Sequence, residues 1–181
     1  ATLKGQSAVV IDLDPQQSAA RWARLRSADA PVILSGHGPN VSDLVHRARE
    51  GGADLVIIDT APKSENAALS AARLADLIVI PCQPSSLDLD AISDTVNIAT
   101  LAKRPAMFVL NNCRASSSLA EEAHDALATY GIPIAGVRLG NRVAFVKSLS
   151  EGKGVLEFEP KGAAALEIKQ LFARVLKQVG P

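Results

Sequence analysis

Three carboxylates sit where a phosphate-handling site would need them. Asp12 and Asp14 follow the apolar run Ala8-Val9-Val10-Ile11 at a spacing of i, i+2, and Pro15 comes next. Asp59 follows a second apolar run, Leu55-Val56-Ile57-Ile58. Continuous β-branched runs read as parallel strands buried on both faces. Pro15 cannot extend a strand ladder but suits the first turn of a helix. The acids therefore belong at the carboxyl ends of strands, the edge where open α/β sheets bind ligands. Converging acids there suit a hard cation such as Mg²⁺, and a neighbouring helix N-terminus suits a phosphate. Asp is also a common helix cap after a strand, so the weight lies on the convergence of Asp12, Asp14 and Asp59. A third strand end, Ile80-Pro81-Cys82-Gln83-Pro84-Ser85, points to the same edge.

The elements that must hold these residues alternate along the chain. Apolar runs predict strands over 8–13, 31–34, 54–59, 77–81, 106–111 and 134–139. Between and after them, periodic segments predict helices over 16–27, 41–50, 64–75, 86–103, 118–131, 141–150 and 162–179. Gly51-Gly52 closes the second helix, and Ser118-Leu-Ala-Glu121 reads as a capping box. In the first helix Trp22 and Leu25 are expected inward, with Arg21, Arg24 and Arg26 exposed. Strand–helix alternation with short connections predicts an α/β fold, a doubly wound, mostly parallel sheet flanked by helices, in a single domain over 1–181.

Composition removes several classes of function. The 181 residues carry 19 basic and 19 acidic side chains, so no global charge draws the chain to nucleic acid. Cys82 and Cys113 have neither zinc spacing nor a disulfide framework, and a reducing cytoplasm is the expected location. No apolar run reaches membrane-spanning length. His37, His46 and His124 are scattered and read as surface residues.

On these residues the chain resembles the ParA/MinD family of deviant-Walker ATPases, most closely the short plasmid-type ParA partition proteins. Asp12-Leu-Asp-Pro-Gln16 resembles the family's switch I box, and Leu55–Pro62 its Walker B and switch II segment. Val79–Leu89 resembles the strand and helix start that follow. Arg142-Val-Ala-Phe145 and Glu157-Phe-Glu-Pro160 resemble the C-terminal region. The resemblance implies that Asp12 and Asp59 hold Mg²⁺, Asp12 largely through water, and that Asp14 orients the attacking water. It implies that Thr60 and Pro62 sense the γ-phosphate and that Asn111 reads adenine. An amide can both donate to and accept from the adenine edge. ATP and Mg²⁺ are the implied cofactors. The implied partners are a ParB-like protein, non-specific DNA and a second copy of the chain as an ATP-dependent dimer, with a nucleoid-associated location and no membrane. Arg142, Lys147 and Lys153 are the implied DNA contacts, which salt should weaken.

One family element is missing from the residues. No Gly-x4-Gly-Lys-Ser/Thr occurs; Gly152-Lys153-Gly154 is followed by Val155. A P-loop needs Gly-rich backbone N–H groups, a Lys and a Ser/Thr. The expectation is a P-loop NTPase-like domain without its first strand, P-loop and most of its first helix. Such a domain hydrolyses ATP only if that segment belongs to the full protein. The rival expectations are a MinD-like membrane-cycling or other deviant-Walker positioning ATPase, and a P-loop-less binding module. A MinD-like protein ends in an amphipathic membrane helix. Here Leu166, Ile168, Leu171, Phe172, Val175 and Leu176 are instead expected to dock the last helix on the sheet.

Overall fold

The computed structural model describes residues 1–61, 64–115 and 118–180, and of Leu87 the backbone alone. The chain is α/β, with parallel sheets flanked by helices. Its contacts divide into two compact units, Ala1–Leu74 with Ser150–Gly152, and Ala75–Leu149 with Lys153–Pro181.

In the first unit, β1 (Ala8–Asp12) lies between β2 (Val32–Ser35) and β3 (Leu55–Asp59), all parallel. Alternation of side chains sends Val9 and Ile11 to one face. There they meet Val41, Leu44, Val45 and Ala48 of α2 (Val41–Glu50) and Ala71 of α3 (Glu65–Leu74). Ile11 is fully buried, which contributes on the order of 1.5–3 kcal/mol. The other face is crossed by α1 (Ser18–Leu25), which packs on β1 and β2. β3 pairs only with β1 among the described residues, and Ile57 at its middle is 49% exposed.

In the second unit, β4 (Ile78–Cys82) and β5 (Ala106–Leu110) form a parallel pair. Phe108, Leu110 and Ile80 face α4 (Ser86–Ala102) and α5 (Leu119–Ala128). Met107 and Val109 face Leu171 and Val175 of α8 (Ala163–Val179). Of the apolar stripe of α8, Leu171 and Val175 thus dock on the sheet, and Leu166 departs, at 56% exposure. Between them run α6 (Val143–Ser150) and the short α7 (Val155–Phe158), which periodicity over four residues could not reveal.

Several local expectations are corrected. The first helix starts at Ser18, because a turn at Asp14–Gln17 leaves Gln17 left-handed at φ 51°. Leu25 is 56% exposed, and Arg26 is half-buried instead of free in solvent. The 134–139 run makes one bridge, Ile134 to Phe108, and separate backbone bonds in which the Ala135 and Leu139 N–H groups donate to the Phe108 and Leu110 carbonyls, so no continuous strand forms. Ser118 does not close a capping box. Its hydroxyl donates to Glu122 Oε1 at 2.9 Å, and Glu121 turns to Arg138. Ser85 caps α4 by accepting from the Asp88 N–H at 3.3 Å.

Candidate functional site

The parallel register of β1 and β3 sets Asp12 directly beside Asp59. The ladder runs one step further, the Leu13 N–H donating to the Asp59 carbonyl at 2.9 Å. Two carboxylates on adjacent strands at one sheet edge are thus a consequence of register, and a one-residue slip would separate their faces.

The two acids have different surroundings. Asp12 is 1% exposed. Its Oδ1 accepts the Asp14 N–H and its Oδ2 the Ala20 N–H, both at 3.1 Å. Each oxygen keeps one further lone pair for a water or a cation. The Ala20 bond also caps α1, whose own N-cap, Gln17, makes no side-chain cap bond. Asp14 is half-buried and accepts the Gln16 N–H at 2.8 Å, a turn that holds its carboxylate at the mouth of the α1 N-terminus. Asp59 is solvent-exposed, yet its carboxyl is raised above the usual range. Burial of its inner side is the first cause, and the charges of Asp12 and then Asp14 add to it; a bond from the Thr60 N–H opposes them.

The charges that crowd Asp59 make a cation favourable here. The cost that Asp12 and Asp14 impose on its ionised form is one that a divalent ion would relieve. The described residues contain no group of three His, Cys, Asp or Glu side chains arranged as a direct metal cage. Mg²⁺ does not need one: it keeps several waters and takes one or two carboxylates plus phosphate oxygens. The donor set therefore fits Mg²⁺ held through water, with Thr60 adjoining Asp59. Pro62 lies outside the described residues.

Asn111 is in the second unit. It follows β5, its N–H donating to the Cys82 carbonyl at 2.8 Å. It lines a cavity of about 250 Å³ with Gln83, Asn112, Asn141, Arg142 and Phe145. Asn112, at φ 56°, donates from Nδ2 to Gln83 Oε1 at 2.7 Å and so fixes one wall. The cavity falls just below the roughly 300–1,000 Å³ of drug-sized ligand clefts; a single heterocycle is the matching size. Asn111 is expected here from the resemblance and Arg142 only as a DNA contact, and nothing local marks Asn112 or Asn141 as their companions. The Gln83–Asn112 pair spans 29 residues, and only the β4–β5 pairing makes them neighbours.

The three expected DNA contacts are not alike. Arg142 is committed to Glu167, with Nε 2.9 Å from Oε1 and Nη2 bonded to the same oxygen. Glu167 also accepts the Gly140 N–H at 3.1 Å. Its burial alone would raise its pKa, but the Arg142 hydrogen bonds, the Gly140 N–H and the Arg142 charge bring it below the ordinary value. A second pair, Arg138 with Glu121, is bidentate at 2.8 and 2.9 Å. Lys147 on α6 and Lys153 after it are both solvent-exposed. No helix among the described residues is long and apolar enough to cross a membrane.

No protein-family model matches the chain. It is similar to maintenance of carboxysome distribution protein A of Gloeobacter kilaueensis, at 32% identity over 163 residues covering 88% of this chain and 74% of that one. The protein of the same name from Halothiobacillus neapolitanus is 27% identical over 178 residues, covering 92% and 82%. In fold it is similar to the septum site-determining protein MinD of Pyrococcus horikoshii OT3, solved with Mg-ADP. The TM-score is 0.75 at 16% identity, over 97% of this chain and 86% of that one. Sequence and fold agree with the acid box and the strand ends, and the chain belongs to the ParA/MinD family of ATPases.

Proposed function

We propose that the chain is the body of a ParA-like ATPase that positions a cargo in the cell, and that its 181 residues act as one ATPase domain. The observation that carries this reading is the in-register placement of Asp12 beside Asp59 with Asp14 at the mouth of α1. When bound, Mg²⁺ supplies charge neutralisation on the phosphates. In this reading Asp12 and Asp59 hold its water shell. Asp14 holds the attacking water and orients it; Thr60 and Pro62 respond to the γ-phosphate. Asn111 and its pocket take the adenine ring. Relatives named for carboxysome distribution favour a protein assembly as cargo over a plasmid. The finer expectations belong here too: dimerisation with ATP, a ParB-like activating partner, non-specific DNA binding through Lys147, Lys153 and Arg142, and a nucleoid-associated cytoplasmic location. Arg142 is the weakest of the three contacts, because a phosphate would have to displace Glu167.

No Gly-x4-Gly-Lys-Ser/Thr occurs in these residues, so the test has two arms. ATP turnover is measured for the chain alone and for the chain joined to a strand, P-loop and helix segment of a relative. Turnover is expected in the second arm only, and Asp14→Ala should lower it by about 10²-fold or more while ATP still binds. Undiminished hydrolysis in Asp14→Ala would remove the water-orienting role. Failure of both arms to bind ATP would favour the rival reading, a binding module without hydrolysis.

A further inference from the structure

We propose that α1 is a strut that couples the carboxylate box at its N-terminal end to the 150–152 turn at its C-terminal end. The inference goes beyond the proposed function and does not depend on what the acids bind.

Each end of α1 is fastened by a residue distant in sequence. At the start, the buried Asp12 accepts the Ala20 N–H from eight positions upstream. At the end, Arg26 reaches the 150–152 turn. Its Nη1 donates to the Gly152 carbonyl at 2.9 Å and its Nη2 to the Ala30 carbonyl at 2.6 Å. The guanidinium lies 4.5 Å from the centre of the Trp22 ring, a cation–π stack that fixes the fork. A cation at the carbonyl end of a helix is also favoured by the dipole.

The turn is seated as tightly as the arginine suggests. Gly152 is buried with φ +64°, a left-handed conformation that favours glycine. A Cβ there would collide with the backbone of Leu25 and lie 2.6 Å from the Arg26 nitrogen. The peptide of residue 152 therefore lies flush on the last turn of α1. Residues 150–152 belong by their contacts to the first unit, although they interrupt the second in sequence. On one side the chain runs directly back into α6, on the other through Lys153 into α7.

The consequence follows from chain connectivity. An eight-residue helix pinned at both ends moves as a rigid body, so a displacement at Asp12 must be answered at Gly152. A cation drawn to the second lone pair of Asp12 Oδ2 withdraws electron density from the Ala20 bond on the same oxygen and weakens it. That weakening would shift α1 along the line that ends at the 150–152 turn. Coupling between two sites is reciprocal, so each end should respond to a change made at the other.

Amide hydrogen exchange on the intact 181-residue chain tests this. The reporters are the Ala20 amide, bonded to Asp12, and the Lys153 amide, bonded to the Ser148 carbonyl. Ile11 in the core is the control for global unfolding. Arg26→Lys keeps the charge but loses the two-pronged fork; it should speed exchange at Ala20 at least tenfold. Asp12→Asn should do the same at Lys153, with a smaller change at Ile11, which follows only the loss of global stability, in both. Gly152→Ala should accelerate both reporters further. Effects confined to the mutated end of α1, or uniform loss of protection including Ile11, would overturn the proposal.

Discussion

The carboxyl edge of β1 and β3 gathers charges of one sign, whereas the segment after β5 pairs charges of opposite sign. Asp12 and Asp14 raise the cost of ionising Asp59. Arg142 with Glu167 and Arg138 with Glu121 lower theirs. The paired region stabilises its own loop and α8 without any further component. The acidic region gains nothing from its own crowding; helix capping explains Asp12 but leaves Asp59 unrelieved. A cluster whose internal electrostatics oppose folding is a candidate for a function that a ligand completes.

The comparison can be broken at either region. The largest effect is expected from Asp12→Ala, which leaves the Asp14 and Ala20 N–H groups without their acceptor. Two half-buried donors, each costing toward the lower end of about 1–3 kcal/mol when unpaired, suggest a loss of about 2–3 kcal/mol, read as a drop in the urea midpoint at constant slope. Next comes Glu167→Gln, which removes the charge-assisted bonds to Arg142 and should cost about 2 kcal/mol at neutral pH. A small loss here would mean that the paired region is solvated surface. Asp59→Asn should act in the opposite direction, raising stability by up to about 1 kcal/mol at pH 7, since the site is exposed and screened.

The pH dependences of the last two pairings sharpen the contrast. Glu167 is depressed in the folded state, so its contribution is present above the unfolded pKa of about 4.3 and is lost as pH falls through its lowered value. Asp59 is raised, so the folded state binds its proton more tightly. Its penalty is present above its raised value and disappears as pH falls toward about 3.9. Wild-type minus variant stability should therefore fall on acidification for Glu167→Gln and rise for Asp59→Asn. Added Mg²⁺ should reduce the Asp59→Asn gain if the acids hold the ion. The smallest effect concerns Cys82. Burial first, then Asp88 and Cys113, push its thiol up to about 11. Iodoacetamide at pH 8 should label Cys82 at least tenfold more slowly than a free thiol, without affecting stability.

Element type was largely legible along the chain, because period and punctuation are local. The α2 helix over Val41–Glu50 and the strand over Leu55–Asp59 stand where the residues place them. Boundaries failed where a backbone or side-chain choice depended on distant partners. Gln17 turns left-handed, Ser118 bonds Glu122, and the 134–139 run meets β5 at one bridge and scattered backbone bonds instead of a ladder. At the site, the acid types and their strand-end positions were legible. So was Asn111, through resemblance to a family. Their surroundings were not: nothing local links Gln83 to Asn112, Arg142 to Glu167 or Arg26 to Gly152.

The division has a physical cause. Hydrophobic period and the Asp-x-Asp-Pro spacing are properties of neighbours in the chain and are read without a fold. Tertiary structure decided what each charge does, because pairing, burial and register are set by segments brought together from 25 to 126 residues apart. It placed Asp12 beside Asp59, gave Arg142 a partner, and turned Arg26 from a surface residue into the fastening of α1.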